Sequence, residues 1–230
     1  MSILATRAKL GAKVVIDGQI RVPAWVVDLD SFRQWTRTEE FPTGVRVDYL
    51  DGEVWVDMSK EQVFSHNQVK TEYVFVIVGL VKADRLGRFF ADGVRVTCQR
   101  ANLSSVPDGT FVSAEAFLTG RVQLVEGRGG GFVELDGTPD MVLEILSPAS
   151  IQKKTDELRE LYWKAGIPEY WLVDARRDPP RFDILRRSRK GYVAVARQHG
   201  WVKSAVFGKS FQLIQQTDER GYPDYSLLVR

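Results

Sequence analysis

Hydrophobic and polar positions alternate most regularly on either side of Asp51-Gly52. The segments Val45–Leu50 and Glu53–Met58 flank this pair. An Asp-Gly pair between two alternating segments is the strongest short signal for a β-hairpin. The pattern therefore predicts a hairpin whose second strand begins at Glu53.

Helical spacing of apolar residues occurs in two stretches before the middle of the chain. Between Ser59 and Arg85 apolar side chains return every three or four positions, which predicts a long amphipathic helix with His66 on its apolar face. The β-branched run Val74–Val78 favours a strand, but the length and the flanks of the segment favour the helix. A shorter helix, capped by Ser31, is predicted to end before Pro42.

Residues 138–175 have the pattern of a strand, a helix and a second strand. Asp140–Leu146 is apolar on both faces and is closed by Ser147-Pro148, which is typical of a buried strand. The apolar stripe of the helix consists of Leu158, Leu161, Tyr162 and Ala165. Gly166 and Pro168 indicate its end, and Glu169–Asp174 is the second strand.

Shorter alternating runs predict the remaining strands. They are Arg88–Ala91, Val94–Cys98, Thr110–Ser113, Arg121–Val125, Gly131–Leu135, Arg181–Leu185, Tyr192–Ala196 and Ser210–Ile214. We expect the last three to belong to the same sheet as Glu169–Asp174. Mixed strands and helices without a linker or repeat predict a single α/β domain over residues 25–230. Residues 1–24 would form an N-terminal arm or an edge strand.

Composition sets broad limits on the class of protein. The chain has 230 residues, of which 44% are hydrophobic and 27% charged, as in an ordinary globular protein. A formal net charge of +2 gives no global positive field, so nucleic-acid binding would depend on a local patch. The single cysteine, Cys98, excludes an internal disulfide and suits a reducing cytoplasm. Because the longest apolar run, Tyr73–Val81, is far shorter than the ~20 residues of a spanning helix, we expect a cytoplasmic protein without a membrane segment.

Two common kinds of site are excluded by spacing. Gly208-Lys209-Ser210 resembles the end of a phosphate-binding loop, but Lys203 stands where that motif requires glycine, and a strand follows instead of a helix. The glycine-rich run 127–131 also lacks a following helix. Two histidines and one cysteine, far apart in sequence, do not give the ligand spacing of a zinc site.

Glu144 is the residue that does not fit its predicted strand. It shares a face with Val142 and Leu146, where an ionised carboxylate is costly unless its charge is compensated. Asp108 follows a proline and, in the predicted order of elements, lies on a neighbouring strand. These two carboxylates are therefore the first candidates for a functional site.

Carboxylates on adjacent strands, with Lys153 and Lys154 in the next element, favour a site for a hard cation. Mg²⁺ takes oxygen ligands, typically one or two carboxylates together with substrate phosphate and water. Asp140 competes with Asp108 for the role of first ligand. It is four positions from Glu144 on one strand, which is about 13 Å at ~3.3 Å per residue and too far to share an ion.

Three motifs of this chain belong together: Val106-Pro107-Asp108, the run from Pro139 through Glu144 to Pro148, and the run from Leu161-Tyr162 to Glu169-Tyr170-Trp171-Leu172-Val173-Asp174. They resemble the Uma-two family of restriction endonucleases. The resemblance extends from about Tyr49 to Phe211, and the last of these runs is its most specific part. It implies the PD-(D/E)XK nuclease fold, a restriction-endonuclease-like mixed β-sheet flanked by helices, here with additional β-hairpins. It also implies a metal-dependent DNA phosphodiesterase with Asp108 and Glu144 as ligands of Mg²⁺ or Mn²⁺.

The sequence departs from the superfamily pattern at its lysine. The motif Glu-x-Lys would place a lysine at position 146, where this chain has Leu146. The resembled family draws a lysine from the following segment, which makes Lys153 the candidate catalytic residue. Related members tend to have Lys-Asp where this chain has Lys153-Lys154, so an acidic group of the pattern is missing here. The alternative interpretation is that both lysines are solvated charges in a loop. The resemblance also implies that Glu53 and His66 support the site, against a surface turn residue and a core histidine as the alternatives.

Several arginines follow the predicted strand Glu169–Asp174 and would grip a phosphate backbone or, alternatively, belong to a solvated hairpin. The candidates for nucleic-acid binding are Arg176, Arg177, Arg186 and Arg187. The leading hypothesis is a Mg²⁺-dependent endonuclease acting on DNA. A non-catalytic nucleic-acid or protein-binding module and, more weakly, a two-carboxylate sugar hydrolase are the other hypotheses. The sequence leaves open whether the protein forms a homodimer.

Overall fold

The structure is a computed structural model that describes residues 6–9, 14–16, 20–147 and 152–230, with the side chains of residues 6–9, 14–16 and 152–154 left out. Up to residue 137 the strands are β1 (Thr6–Lys9), β2 (Val14–Ile16), β3 (Ile20–Val22), β4 (Arg46–Leu50), β5 (Glu53–Asp57), β6 (Gly87–Ala91), β7 (Arg95–Cys98), β8 (Leu103–Ser105), β9 (Gly109–Ser113), β10 (Val122–Glu126) and β11 (Phe132–Gly137). The later strands are β12 (Met141–Ile145), β13 (Glu169–Asp174), β14 (Arg181–Ser188), β15 (Gly191–Ala194), β16 (Arg197–Gln198), β17 (Trp201–Lys203), β18 (Ser210–Thr217) and β19 (Pro223–Val229).

The α-helices are α1 (Leu29–Trp35), α2 (Val69–Ala83), α3 (Ala114–Leu118) and α4 (Gln152–Lys164). A π-helical segment, Val63–Gln68, leads directly into α2, and a single 3₁₀ turn covers Gln99–Ala101. Among the residues that the structure describes, no helix is long and apolar enough to cross a membrane.

Four sheets form within the described parts of the chain. Their strand orders are β1-β5-β4-β8-β7-β11-β10, β15-β14-β13-β12-β9-β6, β16-β17-β18-β19 and β2-β3. Neighbouring strands are antiparallel except for the pairs β7–β11 and β12–β13. We call the second of these sheets, which contains β12 and β13, the central sheet. Helix α4 provides the crossover connection that its parallel pair needs.

The central sheet is covered by helices on both faces, as the nearly continuous apolar sequence of β12 predicts. Leu143 and Ile145 belong to a core cluster with Tyr73 of α2. Val142 belongs to a second cluster, with the apolar stripe of α4. Since side chains alternate along a strand, Glu144 lies on the same face as Val142, toward α4.

Most of the predicted elements are confirmed. The hairpin is β4–β5, in which Leu50 pairs with Glu53. The long helix is α2, and His66 lies in the π-helical segment before it. The strand Asp140–Leu146, the helix after it and the strand Glu169–Asp174 correspond to β12, α4 and β13. Gly166 ends α4 in the left-handed conformation, with φ +81°, which glycine adopts without strain.

Two predictions about these elements are wrong. The cap of α1 is Asp28, and Ser31 is the third helical residue, whose side chain completes a capping box with Asp28. Ser210–Ile214 does not extend the central sheet but lies in β18 of the four-stranded sheet. Phe211 of β18 is fully buried in the core cluster that contains Trp171. Alternation of apolar residues alone therefore did not distinguish a strand that extends the central sheet from a strand that packs against its face.

The predicted edge strand in residues 1–24 is β1, which pairs antiparallel with β5 at the border of the seven-stranded sheet. Strands β2 and β3 pair with each other. From Ile20 onward the apolar residues of this region pack with α1, β4 and β5 in a cluster of their own.

Candidate active site

A cavity of about 450 Å³ opens where β12 ends. Its wall includes the chain from Glu144 to Ser147 and residues of β4 and β5, so it lies between the central and the seven-stranded sheets. Its polar lining includes Arg46, Glu61, His66, Asp92, Glu144 and Thr155.

Asp108 lies directly before β9, and its side chain is fully buried. Its Oδ2 accepts a hydrogen bond from the backbone N–H of Ile145 at 2.7 Å, and its Oδ1 accepts one from Nη2 of Arg46 at 2.8 Å. Burial raises the pKa of Asp108, but the charges and hydrogen bonds of Arg46 and His66 outweigh burial and hold this pKa below its usual range. Asp108 is therefore an ionised carboxylate in the protein interior.

Glu144 is 9% exposed and faces α4. The hydroxyl of Tyr162 donates a hydrogen bond to Oε1 of Glu144 at 2.7 Å and lies 3.2 Å from Oγ of Ser105. Burial raises the pKa of Tyr162 well above its usual value, and the negative charge of Glu144 raises it further, so the phenol keeps its proton. The compensation that the buried Glu144 requires comes in part from this tyrosine on α4.

Asp108 and Glu144 adjoin the last residue pair of the antiparallel strands β9 and β12. The register ends with Leu143 opposite Gly109, and Glu144 and Asp108 are the next residues beyond that pair. The hydrogen bond that Oδ2 of Asp108 accepts comes from Ile145, the residue after Glu144. The two predicted metal ligands therefore lie at the same end of the β9–β12 pair.

Asp140 lies at the other end of β12 and serves a different purpose. Its Oδ2 accepts a hydrogen bond from the backbone N–H of Ser113 at 2.7 Å, and its Oδ1 accepts one from Arg121 at 2.5 Å. These bonds tie the end of β9 and the residue before β10 to the start of β12.

The described residues contain no group of three His, Cys, Asp or Glu side chains that could hold a metal ion. Asp108 and Glu144 nevertheless supply two carboxylates at one end of the β9–β12 pair, and carboxylates are the hard ligands that Mg²⁺ prefers. Such an ion usually completes its coordination with water and substrate phosphate. Two carboxylates would therefore be enough protein ligands for an ion that also contacts substrate.

Six ionisable side chains, alternately acidic and basic, form a closed ring next to Glu144. This charge ring consists of Asp108, Arg46, Asp92, Lys70, Glu61 and His66. On one side, Nη2 of Arg46 lies 2.8 Å from Asp108 and 3.2 Å from Asp92. Nζ of Lys70 lies 2.9 Å from the second oxygen of Asp92.

The other side of the charge ring runs from Lys70 through Glu61 to His66. Lys70 is hydrogen-bonded to Oε1 of Glu61. Nδ1 of His66 lies 3.5 Å from that same oxygen, and Nε2 of His66 lies 3.5 Å from Oδ2 of Asp108. The predicted supporting residue His66 is thus buried against Asp108 and also lines the cavity.

Sequence reasoning did not identify Arg46, Glu61, Lys70 or Asp92. Charged residues at strand ends and turns are usually solvated, and Asp92 stands in a turn. Lys70 gave a weak signal, because it is a lysine within the part of α2 that packs on the core. The grouping of these four residues depends on how distant segments meet, which no local pattern reports.

Glu53 is not among the described residues that line the cavity. It begins β5, whereas Asp57, at the other end of the same strand, lines the cavity. Four residues of strand separate the two by about 13 Å. Glu53 lies beside the hairpin turn at Asp51-Gly52 and pairs with Leu50.

The two candidate lysines lie in the first turn of α4, and their side chains are outside the described residues. Thr155 and Leu158 of the same helix line the cavity, so the first turn of α4 borders it. Leu146 also lines the cavity, at the position where the superfamily pattern would have lysine. The choice between Lys153 and Lys154 stays a prediction.

The predicted arginine cluster is divided between opposite ends of the central sheet. Arg176 follows β13 and donates a hydrogen bond to the carbonyl of Ser147, which lines the cavity. Arg177 lies beside it, and both are paired with Asp174. Arg186 pairs in register with Glu169, at the opposite end of β13. Arg187, next to Arg186, lies with its guanidinium 5.4 Å from the centre of the Trp163 ring.

The fold of the chain is a mixed α/β fold that is similar to a solved structure. A crystal structure described as that of a putative nuclease belonging to DUF820, from Anabaena variabilis, is 23% identical in sequence, with a TM-score of 0.58. The match covers 79% of this chain and 91% of that chain. The model of the Uma2 family, described as "Putative restriction endonuclease", matches residues 29–216. The chain therefore belongs to the Uma2 family, and no curated protein matches it.

Both the predicted family and the predicted mixed α/β fold are confirmed by these comparisons. Membership of this family supports a nuclease function in general.

Proposed function

We propose that this protein is an endonuclease that hydrolyses DNA phosphodiester bonds with the help of Mg²⁺ or Mn²⁺. The observation that carries the proposal is that Asp108 and Glu144 lie at the same end of the β9–β12 pair, where Glu144 lines a cavity of about 450 Å³. Family membership supports nucleic acid as the substrate class.

Asp108 and Glu144 would hold the metal ion. When bound, the ion would polarise the scissile phosphate and lower the pKa of the attacking water. Arg46 and the backbone N–H of Ile145 fix the carboxylate of Asp108, and Tyr162 fixes that of Glu144. Because these groups are already oriented, little reorganisation is needed when substrate enters.

The other residues would act around these two carboxylates. Lys153 or Lys154, in the first turn of α4, would orient the attacking water or offset negative charge. His66 would hold Asp108 from the side of the cavity. Arg176 and Arg177 would contact the DNA backbone, since they lie at the end of the central sheet where β12 reaches the cavity.

The test is cleavage of supercoiled plasmid DNA by the purified protein with Mg²⁺, with Mn²⁺ and with a chelator. We expect nicking that requires the divalent ion. The isosteric variants Asp108→Asn and Glu144→Gln should each lower the rate by about 10²–10³-fold, because metal assistance supplies several kcal/mol of transition-state stabilisation.

Glu160→Gln is the matched control. Glu160 is an exposed residue of α4 that pairs with Lys164, so its variant should cleave like the wild type. Full activity in a folded Asp108→Asn, Glu144→Gln double variant would overturn the assignment. Salt-sensitive DNA binding without cleavage under either metal would favour a non-catalytic nucleic-acid-binding module instead.

A further inference from the structure

Three cationic side chains line the cavity among the residues described: Arg46, Lys60 and Arg95. Arg95 is buried, and its guanidinium donates hydrogen bonds to the carbonyl of Val47 and to Oγ of Ser104. Lys60 is exposed on the rim. Arg46 differs from both, since it contacts the buried carboxylate of Asp108 and still has 23% of its side chain exposed.

The geometry of Arg46 leaves part of its guanidinium available. Among the residues that the structure describes, its contacts with Asp108 and Asp92 both run through Nη2. A guanidinium has five N–H donors in a rigid plane, and it binds phosphate through two parallel hydrogen bonds. With one nitrogen held by two carboxylates, the plane is fixed in orientation while Nη1 and Nε keep donors for an anion.

The charge of Arg46 is permanent. Burial lowers the pKa of this guanidinium, but Asp108 and then Glu144 more than compensate, so the pKa is raised well above its usual value. Arg46 therefore interacts electrostatically with both carboxylates of the proposed site. A fixed cation between two anions and an open cavity is placed to meet an incoming phosphate.

We propose that Arg46 is a catalytic residue that binds the scissile phosphate directly and stabilises the charge that develops on it. This inference rests on the proposed nuclease function. In the hydrolysis, the oxygen of water forms a bond to phosphorus and the bond from phosphorus to the leaving sugar oxygen breaks. The water loses one proton, and the leaving oxygen takes up one. Arg46 exchanges no proton and acts only through its charge and hydrogen bonds.

The test compares Arg46→Gln with the wild type in Mn²⁺-dependent cleavage of a labelled DNA duplex. We expect kcat to fall about 10²–10³-fold, the usual cost of removing one preorganised donor to a transition-state oxyanion. KM should change less than about threefold, because a contact that tightens in the transition state mainly affects kcat. Arg46→Lys keeps a charge beside Asp108 but lacks the fork, so its kcat should fall about tenfold.

Arg33→Gln is the matched control, because Arg33 also pairs with two carboxylates, Glu134 at 2.6 Å and Asp136 at 2.7 Å, and none of these three residues lines the cavity. Its kcat should equal that of the wild type. An active wild type with a folded Arg46→Gln variant within threefold of its kcat would overturn the inference alone. If Arg46→Gln does not fold, an Arg46→Lys variant with wild-type kcat would overturn it. A wild type that cleaves no DNA would overturn the proposed function and this inference with it.

Discussion

Asp108 and Glu144 are both buried carboxylates, and each has a different set of partners. Asp108 has a cation and a backbone N–H as partners. Glu144 has the phenol of Tyr162, whose hydroxyl lies in a buried chain with Ser105. A residue that orients a metal ligand from behind typically affects metal affinity or activity by about 10- to 100-fold.

We predict that Tyr162→Phe lowers the cleavage rate about tenfold and raises the Mn²⁺ concentration needed for half-maximal activity. The reason is that Glu144 loses the donor that fixes its Oε1, while the packing of the ring stays the same. The measurement is a Mn²⁺ titration of the initial rate of plasmid nicking.

The control for this prediction is Tyr73→Phe. Tyr73 is fully buried in α2, and within the described residues its hydroxyl has no hydrogen-bond partner. Removing that hydroxyl should leave the Mn²⁺ titration unchanged. If Tyr162→Phe and Tyr73→Phe titrate alike, Tyr162 does not position Glu144.

A second prediction at this scale concerns Asp174, whose side chain is 6% exposed. Its hydrogen bonds to Arg176 lower its pKa, outweighing the opposing effect of burial. A lowered pKa in the folded protein means stability that is present above the unfolded-state pKa, near 3.9, and is lost as the pH falls through the folded-state pKa.

We therefore expect Asp174→Asn to reduce the free energy of unfolding by about 1–3 kcal/mol at pH 7, the usual range for hydrogen bonds to a charged group. The difference from the wild type should shrink as the pH is lowered below about 4. Urea unfolding between pH 3 and pH 7 measures it, with the exposed Asp84→Asn as control. A difference that stays constant with pH would contradict the prediction.

At the level of elements, the direction of β13 decides which arginines face the cavity. Because β12 and β13 are parallel, the residues after β13 lie at the same end of the sheet as Glu144. The antiparallel β14 carries Arg186 and Arg187 back to the other end. Arginines that are close in sequence are thereby separated by the length of a strand.

We predict that Arg177→Gln weakens DNA binding and reduces the dependence of log K on log salt concentration by about 1, as expected for one lost phosphate contact. Arg177 is 63% exposed, so the substitution should not disturb the fold. Fluorescence anisotropy with a labelled duplex at several salt concentrations measures both quantities.

The matched variant is Arg186→Gln, which removes an exposed arginine from the opposite end of the same sheet. We expect it to bind DNA like the wild type. Equal weakening by both variants would mean that the DNA path does not follow the cavity side of the central sheet.

For the molecule as a whole, the cavity lies between two sheets that each contribute to a core cluster of their own and share a third cluster with α4. Arg46 comes from the seven-stranded sheet, while Asp108 and Glu144 border the central sheet. The contact between Arg46 and Asp108 joins residues 62 positions apart. An ion bound to these carboxylates would favour the folded state over the unfolded chain, where its ligands are dispersed.

We predict that Mn²⁺ raises the unfolding temperature. At a concentration 100 times the dissociation constant, binding to the folded state stabilises it by about 2.7 kcal/mol. For a chain of this size each kcal/mol corresponds to about 2–4 °C, so the expected increase is about 5–10 °C. Thermal unfolding with and without Mn²⁺ measures it, and Glu144→Gln should abolish most of the shift. An equal shift in that variant would place the ion elsewhere.

The local elements were predictable because the signals that define them are local. Period two and the Asp-Gly turn identified the β4–β5 hairpin, and a doubly apolar run identified β12. Glu144 was recognisable because a carboxylate in such a run requires an explanation. Asp108 could be identified as a candidate metal ligand only together with the family motifs. Ser210–Ile214 was assigned to the wrong sheet, because apolar alternation reports that a strand is half-buried but not which surface buries it.

The sequence by itself therefore determined the family, the type of most elements and the two carboxylates proposed as ligands. Tertiary structure decided that Asp108 and Glu144 lie at the same end of the β9–β12 pair and that the arginine cluster is divided. It also decided that Asp108 joins the other five residues of the charge ring. The physical reason is that hydrophobic periodicity depends on neighbours along the chain. Strand register and ion pairing depend on which distant segments meet once the two sheets and α4 have packed.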